Sequence, residues 1–227
     1  MSSTIAMPDK SYAIFDMDGT LIDSMPYWAQ LPEEYLKSMG IKNIPPNLFE
    51  KISTQTATEA AQTFLDHFST EFPESGIAET TLPDAKTITE GINALMAHHY
   101  AEDIHLKAYV VSYLDAWKEK GGRLCVASAT AEPLIRLCLG RLDILSYFDF
   151  VLSTETLGIH KRDDRVFRMA AAKWDQSPEN IAVYEDSLFA LRSAKSGGFY
   201  TVAVHDHVQE PSWPALQEEA DLAIYLD

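Results

Sequence analysis

The sequence predicts an α/β chain: a parallel sheet with helices between its strands, and an all-helical segment inserted after the first strand. Three observations carry that expectation. Short apolar runs recur along the chain, as buried parallel strands require. Helical patterns separate most of them, and strand–helix–strand repetition means a parallel sheet. The interval 24–104 breaks this rhythm, with helical patterns and no convincing strand.

In chain order, the expected strands are Tyr12 to Phe15, Leu124 to Ala127, Phe150 to Leu152, Ile181 to Tyr184 and Thr201 to Val204. Within the interval, Tyr27 to Met39 and Thr58 to His67 read as helices, punctuated by Pro45-Pro46 and the Pro73 to Pro83 stretch. A separate N-terminal domain is the other account, but it leaves the first β-segment without a sheet. Val110 to Lys120 is the next helix, stopped by Gly121-Gly122. Glu132 to Leu139 follows, with Gly140 near its end, then Arg165 to Trp174, then Leu188 to Ser196 closed by Gly197-Gly198. The expected division is a core of 1–22 and 105–227 and a helical insert of 23–104. Ligands in such sheets sit at the carboxyl ends of the strands.

Composition narrows the function. A chain of 227 residues can hold one sizeable core plus an inserted module. No segment approaches about 18 uninterrupted apolar residues, so no membrane span is expected. Met1 to Lys10 lacks a basic region followed by an apolar stretch, so no signal peptide is expected and a cytoplasmic location fits. Cys125 and Cys138 read as small buried hydrophobes rather than a bridge or a metal pair. The formal net charge of −16 argues against nucleic acid as a partner, because phosphate binding wants clustered Lys and Arg. It also repels anionic substrates at long range. A phosphate site here must therefore be locally positive, from a metal and one or two basic residues.

The most informative stretch is Phe15-Asp16-Met17-Asp18-Gly19-Thr20-Leu21-Ile22-Asp23-Ser24. Two carboxylates at the end of a buried strand repel each other, and burial raises the cost of ionising them. A bound cation is the usual relief. Asp-Gly is also a common turn, so the motif alone does not decide. Ser128, after Leu124 to Ala127, can bind a phosphate oxygen together with nearby backbone N–H groups. The plainer account is that Ser128 or Thr130 caps the next helix. Lys161 can neutralise a nucleophilic carboxylate and a phosphate together, or be a solvated loop lysine. Glu185 and Asp186 end an apolar run. They are either helix N-terminal acids or oxygen ligands of a hard cation.

Taken in order, these residues resemble the haloacid dehalogenase-like hydrolase superfamily, in its phosphatase and beta-phosphoglucomutase-like subgroup. Asp16-x-Asp18-Gly19-Thr20 looks like the first motif, Ser128 the second, Lys161 the third and Glu185-Asp186 the fourth. The resemblance implies a Rossmann-like parallel sheet core with an inserted all-helical cap domain that closes over a small phosphorylated metabolite. It implies that Asp16 attacks phosphorus to form an aspartyl-phosphate. Asp18 then protonates the leaving oxygen and activates water. Mg²⁺ is implied as cofactor, bound by Asp16, the backbone carbonyl of Asp18 and Asp186. Ser128, the backbone at Ala129 and Lys161 hold the phosphoryl group, Thr20 supports the loop, and Glu185 orients a neighbour. Relatives that displace halide lack an acid at the position of Asp18, so phosphoryl transfer is favoured.

The chain departs from the family at three places. No proline follows Lys161, where many relatives carry Lys-Pro-x-Pro-Asp. Leu188-Phe189-Ala190 stands where many have Gly. The stretch Ile52 to Ala57 lacks the basic residue expected of a sugar-phosphate mutase, which favours hydrolysis. A phosphoglucomutase-like phosphotransferase and a non-catalytic metabolite binder are the alternatives. Tyr27, Trp28 and Gln55 are candidate substrate-lining residues, although the two aromatics can equally staple helices together. Asp23 is expected to cap the first inserted helix. His98, His99, His105, His205 and His207 match no closed metal spacing. A monomer or weak dimer is expected.

Overall fold

The computed structural model describes residues 5–39, 57–70 and 83–227. The chain divides into two compact units, Met1–Met25 with Ile104–Asp227, and Pro26–Asp103. The elements in order are β1 (Tyr12–Phe15), α1 (Met25–Ser38), α2 (Ala57–Thr70), α3 (Ala85–Glu102) and α4 (Val110–Glu119). Next come β2 (Arg123–Ser128), α5 (Glu132–Arg141), β3 (Phe150–Ser153), α6 (Thr154–Leu157) and α7 (Arg165–Trp174). Then follow β4 (Ile181–Glu185), α8 (Leu188–Ser196), β5 (Tyr200–Val204), α9 (Trp213–Glu219) and β6 (Leu222–Ile224).

The strands form one parallel sheet in the order β3-β2-β1-β4-β5-β6. Chain order reverses beside β1, which has β2 on one side and β4 on the other. A ligand crevice belongs at such a switch point. Both faces of the sheet are buried, as parallel strands joined by helices demand. One face carries Ile14, Cys125, Ala127 and Val183 against Val166, Phe167, Ala170 and Trp174 of α7. Those α7 positions recur at helical spacing and make a single apolar stripe. On β1 and β4 the alternate positions, Phe15 and Tyr184, stack at 4.1 Å between ring centroids. Tyr113 and Trp117 of α4 hydrogen-bond the Tyr184 hydroxyl at 3.0 and 3.2 Å, so this buried phenol is satisfied.

Within the second unit, α1 buries Leu31, Tyr35 and Leu36, and α3 buries Ile88, Ile92, Met96, His99 and Tyr100. Asp84 caps α3, accepting from the Thr87 N–H at 2.8 Å. Gly91 lets α3 approach α1, since a Cβ there meets the Tyr35 ring at 2.2 Å.

Several details differ from the sequence reading. Ladder pairing carries β2 through Ser128, opposite Ser153, and β4 through Glu185, opposite Ala203. Both polar residues are therefore the last of their strands rather than the first beyond them. The residue directly before α1 is Ser24, not Asp23. Asp23 is exposed and donates its backbone N–H to the His105 carbonyl at 2.9 Å. The sequence reading missed α3, α6, α9 and β6. β6 is only three residues long and is strand because it pairs with β5.

Candidate active site

The carboxyl end of β1 turns sharply. The N–H groups of Thr20, Leu21 and Ile22 all reach back to the Met17 carbonyl, at 3.3, 2.9 and 3.1 Å. Gly19 sits within this turn at a φ of +75°. A Cβ on it meets Asp186 Oδ2 at 2.3 Å, so a side chain is excluded on both counts. The glycine thus brings the β1 loop against the end of β4, beside the Asp186 carboxylate.

Lys161 joins the two strand ends. It lies between the left-handed Gly158 that ends α6 and the start of α7. Its ammonium is 2.5 Å from Asp16 Oδ1 and 2.6 Å from Glu185 Oε1, with all three residues buried. Glu185 accepts a further bond from Ser187 Oγ at 3.2 Å. One oxygen each from Asp16, Glu185 and Asp186 lies within 4.8 Å of the others. Burial pushes the Asp16 carboxyl up to about 8, against the pull of Lys161 and with the repulsion of Glu185 and Asp18 behind it. Burial likewise holds Asp186 well above the usual carboxylate range, with Asp16 and Glu185 adding to it. Burial works against the Lys161 charge, but Asp16 and Glu185 more than offset that and hold it above the ordinary lysine range.

Asp18 is held separately. Ser24 Oγ donates to its Oδ1 and Thr130 Oγ1 to its Oδ2, both at 2.8 Å. The Thr130 N–H donates to Ser128 Oγ at 3.0 Å. The residue before α5 is Ala131, and the first-turn N–H of Glu132 donates to Thr156 Oγ1 at 3.4 Å rather than to Ser128 or Thr130. Ala129, between them, is exposed. Contacts thus link Asp16, Lys161, Glu185 and Asp186 into one group, and Asp18, Thr130 and Ser128 into another. The second group joins the first through the β1 loop.

The donor set fits a hard divalent cation. It is all oxygen, carries three carboxylates against one ammonium, and is buried. Thr20 Oγ1 lies in the same loop, buried with no hydrogen-bond partner among the described residues. Sequence reading missed Ser24 and Thr130. A hydroxyl two residues past Ser128 was the available signal for Thr130, whereas Ser24 had none apart from its place before a helix. Tyr27 and Trp28 are half-buried on α1. The Tyr27 ring packs against His99 at 4.8 Å, and its hydroxyl donates to the Asp103 carbonyl at 3.4 Å. Gln55 and most of Ile52 to Ala57 lie outside the described residues. Among the described residues no helix is long and apolar enough to cross a membrane.

Known proteins share this architecture. The chain is 26% identical over 193 residues to phosphoglycolate phosphatase of Aquifex aeolicus, covering 83% of this chain and 81% of that protein. It is 26% identical over 197 residues to hexitol phosphatase B of Escherichia coli, covering 85% and 82%. A mutant CbbY of Rhodobacter sphaeroides, crystallised with xylulose-1,5-bisphosphate, has the same fold. Its TM-score is 0.71 at 24% identity, over 94% of this chain and 93% of that one. The family model for haloacid dehalogenase-like hydrolases matches residues 13–204. That match runs from inside β1 to the end of β5 and takes in every strand end that contributes to the site, so the chain belongs to the haloacid dehalogenase-like hydrolase family.

Proposed function

We propose that the protein is a Mg²⁺-dependent phosphatase that hydrolyses a small phosphomonoester through an aspartyl-phosphate on Asp16. The observation that carries this reading is the separation of two carboxylates two residues apart. Asp16 is gripped by Lys161, and Asp18 is held apart by two hydroxyls. This separation supports Asp16 as nucleophile and Asp18 as proton carrier.

An Asp16 oxygen attacks phosphorus, and the bond from phosphorus to the ester oxygen breaks. Asp18 gives its proton to that departing oxygen. The Asp18 carboxylate then takes a proton from water as the water attacks the aspartyl-phosphate, which frees Asp16 and inorganic phosphate. Lys161 and Ser128, with the backbone N–H at Ala129, stabilise the phosphoryl oxygens. Asp16, the Asp18 backbone carbonyl and Asp186 would hold Mg²⁺, which when bound offsets charge on the phosphoryl group. Glu185 keeps Lys161 in place, and Thr20 supports the loop. The relatives named for phosphoglycolate and hexitol phosphates support a small phosphorylated metabolite as substrate. The inserted helical unit, with Tyr27 and Trp28 on its first helix, is the proposed cap that selects it.

The test is release of phosphate from a generic aryl phosphate, with and without Mg²⁺, by wild type and Asp16→Asn. Mg²⁺-dependent release by wild type alone is expected. Full activity in Asp16→Asn removes the covalent mechanism. No release by either protein, with bisphosphate-dependent isomerisation of a sugar phosphate, transfers the reading to a mutase.

A further inference from the structure

We propose that the carboxyl end of β5 carries a second metal site, for a zinc-class divalent ion, built from His205, His207 and Glu210. It shares no ligand residue with the Asp16 cluster. Each of the three residues offers one ligand atom within 4.8 Å of the others. His205 directly follows β5 and is 5% exposed. Its ring is fixed by the rings of Trp213 at 5.0 Å and Tyr225 at 4.6 Å. His207 and Glu210 lie on the adjoining turn, with side chains 80% and 63% exposed, so an ion has access from solvent.

The hydrogen-bond arithmetic at His205 points to a cation. A neutral imidazole has one donor and one acceptor. Both His205 nitrogens face carboxylates, Nδ1 that of Asp227 at 3.3 Å and Nε2 that of Glu210 at 2.6 Å. If Asp227 takes the Nδ1 proton, the Nε2 lone pair meets Glu210, and a cation must reconcile them. A second proton on His205 would do so without any help from His207. Yet His207 lies within ligand distance and brings a second imidazole to the same spot. Its Nε2 is 3.0 Å from the same Asp227 oxygen that accepts from His205. Asp227 therefore holds one nitrogen of each ring, and the other nitrogen of His205 faces Glu210. This is the carboxylate–histidine–metal arrangement of an orienting outer shell. Two imidazoles and a carboxylate favour zinc-class ions, whereas the all-oxygen Asp16 cluster suits Mg²⁺.

The experiment is a titration of Co²⁺ into the full chain in the presence of excess Mg²⁺, followed by its visible d–d absorption. Wild type is expected to bind one Co²⁺ per chain with the intense band of a four-coordinate nitrogen-ligated ion, and Zn²⁺ is expected to displace it. Asp227→Asn, which disturbs both rings, is expected to weaken binding roughly 10–100-fold. His207→Ala is expected to weaken it at least as much. A thermal midpoint equal to that of wild type in the absence of cobalt shows that His207→Ala is folded. If its midpoint falls, Glu210→Gln replaces it with the same expected loss. Absence of the band in wild type, or an unchanged titration in the folded variant, overturns the site.

Discussion

The position of Asp18 shows how much a pair of hydroxyls can decide. Both of its carboxylate oxygens accept a bond, from Ser24 on one side and Thr130 on the other. In the proposed reaction Asp18 carries the proton, and a proton carrier has to meet the leaving oxygen in a narrow range of geometry. Removing one of its holders should cost turnover rather than substrate affinity. A hydrogen bond to an ionised group is worth about 1.5–3 kcal/mol, so Thr130→Val is expected to lower kcat roughly 10-fold or more. KM should change little. Steady-state kinetics on the aryl phosphate check this, and a rise in KM at constant kcat would assign Thr130 to substrate binding instead. Asp16 and Asp186 stand out in the sequence because each closes an apolar run, and Asp18 by its spacing from Asp16, whereas Lys161 lies in a polar loop and stands out only through the family resemblance. Thr130 and Ser24 do not stand out, because their role lies in a partner 112 and 6 residues away, and Ser and Thr are ordinary companions of a helix start.

Between elements, Lys107 and Asp206 form a buried ion pair. Lys107 lies between the insert and α4, and Asp206 lies just past β5. Their side chains are 2% and 1% exposed, and the ammonium reaches Asp206 Oδ2 at 3.0 Å and the His205 carbonyl at 2.9 Å. It fastens the chain re-entering the core to the end of β5. Breaking a buried pair from one side leaves a charge without compensation, at a cost of about 3–5 kcal/mol. Lys107→Met is therefore expected to lower stability by about that much in denaturant unfolding. Lys107→Met combined with Asp206→Leu should recover most of it, because an apolar pair of similar volume carries no stranded charge. A double variant as unstable as the single one would show that the bonds to backbone, not the charge, are what matters. No sequence pattern announced this pair, since two isolated charges 99 residues apart carry no local signature. The strands could be read for the opposite reason. Sheet burial on both faces forces continuous apolar runs, and only β6, at three residues, falls below what such a run can signal.

For the molecule as a whole, the chain divides into two compact units, and the inserted one holds a histidine whose charge is expected to tie its stability to pH. In the inserted unit, His99 of α3 lies between two carboxylates. Its Nε2 is 2.8 Å from Glu34 on α1, and its Nδ1 is 2.7 Å from Asp103 at the end of α3. Burial disfavours the charged ring, but the bonds to Asp103 and Glu34 outweigh that and raise its pKa above the ordinary 6.5. The folded state then holds the proton more tightly than the unfolded chain. The stabilisation is complete below about 6.5 and is lost as pH rises through the folded value. His99→Gln keeps some hydrogen bonding but cannot charge. The stability of wild type relative to this variant is therefore expected to fall between pH 6 and pH 8.5. Hydrogen exchange of the α3 amides at the two pH values, corrected for intrinsic rates, reads this out within the inserted unit. Amides of β1 and β4, whose unit contains none of the three groups, should show no such difference between the proteins. A protection difference that is flat with pH would mean that His99 contributes by packing against Tyr27 rather than by its charge. The same shift in both units would mean that they unfold as one.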